Sequence, residues 1–311
     1  MSIYSGPIVD AHHHFWEPSL GRNPWLLPHA RIPFRYGDYE SIKKDYLPPQ
    51  YRADAEEFNI VGTVTMETEW DPLDPVGEII HLEGVQRRYG LPHAAVAHAM
   101  LRDHNVEPVL EELASHKIVR AVRNKPGHAS SPQQARASPS LLTDKQWRHG
   151  FALLSRYGLG FELQVPWWHL HEALELTRLH PDILVTINHA GLPADRTKTG
   201  LAGWASALRS LAAEPQVNIK ISGIGLAGVP WNAANNRVIV EQVMAIFGPS
   251  HIMFASNFPV DGLTGSFADI YGGYLEITKD WSDDEQSAAF IGNAARHYSL
   301  DVSTRTDADS A

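Results

Sequence analysis

The sequence predicts an α/β protein built as one (β/α)8 TIM barrel, a single domain over residues 1–300. Two observations predict it. Eight short apolar or β-branched runs recur along the chain, separated by longer segments of helical periodicity, which implies βαβ units and a parallel sheet. No G-x-G-x-x-G turn follows the first run, which sets aside a doubly wound nucleotide-binding sheet. A barrel of this kind needs ~250 residues, and the 311 present accommodate it with insertions.

The candidate strands are "PIVDAHH" (7–13), "IVGTVTME" (60–67), "HAAVAHAM" (93–100), "KIVRAVR" (117–123), "LGFELQV" (159–165), "ILVTINHA" (183–190), "VNIKISG" (217–223) and "HIMFASN" (251–257). Helical spacing covers 74–90, 106–116, 144–158, 169–181, 204–214 and 236–248. A last helix over 282–300 opens with Ser282 and Glu285 at capping-box spacing. Residues 301–311 are small and polar and read as a flexible C-terminal tail. The Ser/Pro/Ala/Gln-rich stretch 125–140 follows the fourth strand, where a barrel places catalytic-face loops, and is a candidate mobile lid or a plain surface insertion.

Composition narrows the chemistry. A formal charge of −10 without a basic block argues against nucleic acid or an anionic membrane as partner. The absence of cysteine excludes disulfides, thiolate metal sites and cysteine nucleophiles. No leader-like start and no apolar run of ~18 residues is present, so a cytoplasmic protein is expected. Its expected partners are a small-molecule substrate and, at most, further copies of the chain.

The strand ends carry polar side chains. In "PIVDAHHHFWEP" strict alternation puts Asp10, His12 and His14 on one face and His13 on the other. The later ends offer Glu67 and Glu69, His98, Arg123, Glu162 with Gln164, His189, Lys220 with Ser222, and Asn257. His12, His14 and His189 form a candidate three-nitrogen site for one divalent ion, and without metal the same imidazoles can shuttle protons. Arg123 and Lys220 are candidate oxyanion or carboxylate partners. Glu67, Gln164, Trp25 and Arg196 are candidate substrate contacts. Aromatic residues of segment 17–50, together with Arg22, Arg31 and Arg35, suit a small ring bearing hydroxyls or a carboxylate.

"IVDAHHHFW", "RNPWL", "INHAGLP", "KISGI", "FASNFPVD" and "IGNAARHYSL" occur in this order from end to end. This ordered set resembles the amidohydrolase superfamily, in its amidohydrolase-2 branch with 2-pyrone-4,6-dicarboxylate lactonase and the fucono- and rhamnonolactone hydrolases. The resemblance implies a distorted barrel and hydrolysis of a cyclic ester, with the H-x-H pair at His12 and His14, the mid-chain histidine at His189 and the arginine at Arg123. It leaves the cofactor open between zinc or manganese and a metal-free route. Many relatives read S-D-W-P where this chain reads "SNFP", so Asn257 stands in the place of the expected general base, and an amide takes no proton at neutral pH. Asp261 or Glu67 can supply the base, or a metal hydroxide can replace it. A metal-dependent decarboxylase or hydratase, or a non-catalytic acid-binding relative, are the alternatives.

Overall fold

The structure, a computed structural model, describes residues 4–302. Eight parallel strands follow one another in chain order around the sheet. They are β1 (Ile8–His13), β2 (Ile60–Met66), β3 (Ala94–His98), β4 (Val119–Arg123), β5 (Gly160–Leu163), β6 (Val185–Ile187), β7 (Val217–Ile221) and β8 (Ile252–Phe254). The ring closes just past β8, where Asn257 N–H donates to the His12 carbonyl and His14 N–H to that of Phe258, each at 2.8 Å. The strands read as near-continuous apolar runs because both faces are buried, one by the ring interior and one by helices. The inner set is small (Val9, Ala11, Val64, Ala94, Val96, Ala121, Ala255), with Met66 and Met253 filling the remainder.

The helices are α1 (Pro48–Asp54), α2 (Pro75–Tyr89), α3 (Val106–Ser115), α4 (Lys145–Arg156), α5 (Leu170–Leu179), α6 (Lys198–Ala212), α7 (Ala233–Phe247), α8 (Phe267–Thr278), α9 (Asp283–Ser287) and α10 (Asn293–His297). In α4 the Asp144 carboxylate accepts from Trp147 N–H at the N-terminus, while Trp147, Gly150, Phe151 and Leu154 form the buried face. A Cβ on Gly150 would lie 2.1 Å from the Leu101 carbonyl oxygen, so only glycine lets α4 sit this close. None of the helices among the described residues is long and apolar enough to cross a membrane.

Apart from α1, which no predicted helical segment covers, three elements differ from the sequence reading. Helix α6 begins at Lys198, capped by Thr197, well before the expected Trp204, because Gly200 and Gly203 dilute its periodicity. Helix α8 lies outside the segments whose spacing predicts a helix. Its paired Gly272 and Gly273 break the apolar pattern, yet a Cβ on Gly273 would meet the Trp231 ring at 2.1 Å, so the gap in the pattern is itself a packing device. The last helix opens at the Ser282 capping box as expected, but a π-turn over Ala288–Gly292 divides it. Beyond that turn Ala294 and Tyr298 enter the inner core of the ring. The proposed tail lies outside the described residues apart from 301 and 302.

Segment 14–47 holds only three short 3-10 turns, at 18–20, 24–26 and 40–42. Its base is pinned by Trp16 and Tyr46, which exchange backbone hydrogen bonds at 3.0 and 2.9 Å. Stretch 125–140 is likewise tied down. Ala129 N–H donates to His169 Nε2 at 2.9 Å, the other ring nitrogen faces Glu172 at 2.7 Å, and Glu172 accepts from Ser140.

Candidate active site

The register break in β1 between Asp10 and His13 decides which side chains reach the mouth. It separates residues that strict alternation puts together. Asp10 does not share the histidine face: its carboxylate accepts from Ser256, Tyr51 and Tyr271, on the helix side of the sheet. His13 also lies there, its ring 4.4 Å from Phe15 and 4.9 Å from Tyr51. His12 and His14 turn toward the mouth, with ring centroids 5.3 Å apart and His189 4.6 Å from His12.

A cleft of about 540 Å³, its mouth included, opens at this end of the barrel. His14, His189, Asn257, Glu67, Arg123 and Gln164 form its polar side, and Trp16, Trp25, Ile32 and Phe34 face them from segment 14–47. Trp25 and Phe34 are stacked at 5.8 Å with an interplanar angle of 11°. Arg35 joins the lining, although nothing in the sequence distinguishes it from Arg22 and Arg31. Those two instead pair with Asp71 and Glu40 at the surface. Gly223, at φ +56°, makes room for this approach: a Cβ there would fall 2.5 Å from His189 Nδ1 and 3.1 Å from Arg35 Nη2.

Electrostatics keep the imidazoles neutral. Burial, with Arg123 adding to it, pushes His14 down to about 3. Burial drives His12 and His189 well below the usual range, helped for His12 by His189 and Lys220 and for His189 by Arg35 and Arg123. Burial pushes the Glu67 carboxyl up, but the Arg123 guanidinium beside it wins and holds the group well below the usual carboxylate range. Arg123 Nε donates to Glu67 at 2.6 Å, and its Nη1 donates to Gln164 at 2.9 Å. Glu67 is therefore a clamp on Arg123.

Three candidates lie behind the lining, the first being His12, which is fully buried and does not border the cleft. Lys220 is fully buried, 3.0 Å from Glu162, and does not line the cleft. Burial lowers it to about 8 against the pull of Glu162. Asp261 is also fully buried. Its Oδ1 accepts from Asn257 Nδ2 at 2.7 Å and from Tyr36 at 2.9 Å. Asn257, at φ +54°, is thereby fixed with its amide nitrogen turned to Asp261. Arg196 does not border this cleft; together with Arg35 it lines a second cavity.

The whole of this frame matches a known family. Residues 9–300 match the family described as amidohydrolase. The chain is an amidohydrolase. It is 37% identical over 292 residues to the uncharacterized protein y4mH of Sinorhizobium fredii, covering 94% of this chain and 98% of that one. It is 25% identical over 299 residues to the L-fucono-1,5-lactonase of Burkholderia ambifaria, covering 94% and 96%. Its fold is similar to that of a Burkholderia multivorans amidohydrolase solved with bound zinc, with a TM-score of 0.77 at 23% identity, covering 95% and 100%.

A zinc-holding neighbour raises the question of whether this amidohydrolase has the residues for an ion. The donor chemistry suits one: both ring nitrogens of His12 are buried without a partner, and neutral imidazoles are zinc ligands. The arrangement does not. Among the described residues no group of three His, Asp or Glu side chains is placed to hold a metal ion, and the strand-eight carboxylate that would add charge is the amide of Asn257. The candidate site is a set of neutral imidazoles facing a clamped arginine.

Proposed function

We propose that this amidohydrolase opens a small lactone by adding water to the ring carbonyl. One observation carries the reading: His14 and His189, neutral and buried, share a cleft with Arg123 and an aromatic wall sized for a ring. The 25% identity to an L-fucono-1,5-lactonase supports the same class.

In this reading the ring lies against Trp25 and Phe34, and its carbonyl oxygen meets the Arg123 guanidinium, where negative charge grows as water adds. His189 is the base. Its Nδ1 is 3.0 Å from Ser222 Oγ, and an Nδ1–H donated there leaves Nε2 free to accept. Water loses a proton to Nε2 as its oxygen bonds to the carbonyl carbon. The ring C–O bond then breaks, and the same proton passes to the departing oxygen, giving a hydroxy acid. Asn257 takes no proton; it orients the water, held in turn by Asp261.

The test is a panel of 1,4- and 1,5-lactones followed by acid release. Opening of at least one is expected, with kcat/KM falling about 10²–10⁴-fold in His189→Gln. Folded protein that opens none sinks the reading. Elemental analysis of protein purified without chelator, against His12→Ala, addresses the metal: near-stoichiometric zinc or manganese lost in the variant would transfer water activation from His189 to a bound divalent ion.

A further inference from the structure

The aromatic wall of the cleft is held from behind by a carboxyl that takes no part in the proposed chemistry. Glu78 stands in the first turn of α2, 2% exposed, and its Oε1 accepts from Thr68 N–H at 2.7 Å and from Thr68 Oγ1 at 2.6 Å. Thr68 in turn meets the wall. Its carbonyl accepts from the Trp25 indole N–H at 2.8 Å and from Asn23 Nδ2 at 3.1 Å, and its hydroxyl accepts from the same Nδ2 at 2.7 Å. Glu67 N–H still bonds the Val96 carbonyl of β3 at 2.8 Å, but one residue on, Thr68 N–H bonds Glu78 instead. Burial pushes the Glu78 carboxyl up, with Glu67 adding to it, against the Thr68 bonds and Arg123. An uncharged acid still offers Oε1 as an acceptor, so both bonds to Thr68 hold without a buried charge.

We propose that Glu78 is a positioning residue: through Thr68 it fixes where Trp25 stands as the wall against a ring in the cleft. The ring rests on the lactone reading above, while the placing of Trp25 rests on these hydrogen bonds alone. Arg123 is fixed separately, by the Glu67 carboxylate at 2.6 Å and the Glu67 carbonyl at 2.8 Å. Loosening Thr68 therefore shifts the wall and spares the cation. A wall that grips the ring equally before and during reaction acts on KM and not on kcat.

Glu78→Ala removes the acceptor and is expected to raise KM about tenfold for the lactone the wild type opens fastest, with kcat within about twofold. Glu78→Gln keeps an uncharged acceptor and should restore most of the loss. Trp25→Phe keeps a ring but not the indole N–H, and in that background Glu78→Ala should add no more than about twofold to KM, because the two act as one unit. Acrylamide quenching supplies a readout without turnover. The part of the emission that Trp25→Phe removes should quench about twofold faster in Glu78→Ala than in the wild type or Glu78→Gln, as expected of a locally loosened side chain. If Glu78→Ala does not fold, Thr68→Val, which removes only the hydroxyl, carries both readouts with the same direction expected. A KM increase that persists in full in Trp25→Phe, a fall in kcat as large as the rise in KM, or unchanged quenching overturns the proposal and leaves the lactone reading intact. Faster quenching with no lactone opened supports the placing of Trp25 and sinks the lactone reading.

Discussion

At the scale of single residues, Asn257 is the position where this chain departs from the motif it otherwise carries. Its Nδ2 donates to Asp261 at 2.7 Å, so the amide is part of how a buried carboxylate is tolerated. Burial raises Asp261 above its ordinary value of 3.8, opposed by Arg35 and by its bonds to Asn257 and Tyr36. A group raised in the folded state stabilises fully below its unfolded pKa, and that stability is lost as pH rises through the folded one. Asn257→Asp would replace the donor with a second carboxylate at hydrogen-bond distance and push the pair higher still. The expected outcome is a Tm close to wild type at pH 4 and a deficit that grows toward pH 8, without a gain in turnover at pH 7. A variant that is faster and equally stable at pH 8 would show that Asp261 does not need the amide.

At the scale of elements, the stretch over 125–140 shows how little composition says about anchoring. The residues that hold it are on the other side of the connection: His169, which accepts from Ala129 N–H, and Glu172, which accepts from Ser140. Both precede or begin α5, and neither is marked in the stretch itself. Trp168 adds a third tie, donating from its indole to the Ala129 carbonyl at 3.1 Å. His169→Ala removes the acceptor for Ala129 N–H and leaves a hole under the loop. Limited proteolysis should then cut within 125–140 at least several-fold faster than in the wild type while the barrel stays intact. Unchanged cleavage would assign the anchoring to Trp168 and Ser140 instead.

At the scale of the molecule, a buried polar ladder runs from the C-terminal plug to the cleft. Tyr298, from just beyond α10, donates to Glu162; Glu162 pairs with Lys220 at 3.0 Å and accepts from Asn188; and Asn188 Oδ1 lies 3.5 Å from Arg123 Nη1. Arg123 then meets Glu67 and Gln164 at the mouth. Such a chain rigidifies when every member is satisfied and is costly when one is lost. Lys220→Met strands the Glu162 charge inside the barrel, and urea unfolding should show a loss of about 3–5 kcal/mol. Adding Glu162→Gln should recover a large part of it, because the amide carries no charge to strand. A double variant no better than the single would mean that Lys220 acts through its packing rather than its charge.

The sequence by itself determined the alternation of strands and helices, the order of the strands, the Ser282 cap, the family, and the polar character of the strand ends. These follow from local information: period-2 and period-3.6 patterning, capping spacing and ordered motifs are each legible within a few residues. Only the tertiary structure decided which of those polar ends meet. The bulge in β1 sent Asp10 away from His12 and His14, and Lys220 and Asp261 were drawn behind the cleft by Glu162 and Asn257. Arg35 reached the cleft because Gly223 left room for it, and α8 was hidden by glycines whose purpose is the Trp231 ring. The common reason is that contacts between residues far apart in the chain depend on register, on the space a missing Cβ leaves, and on which charge pairs with which. No local pattern carries that information.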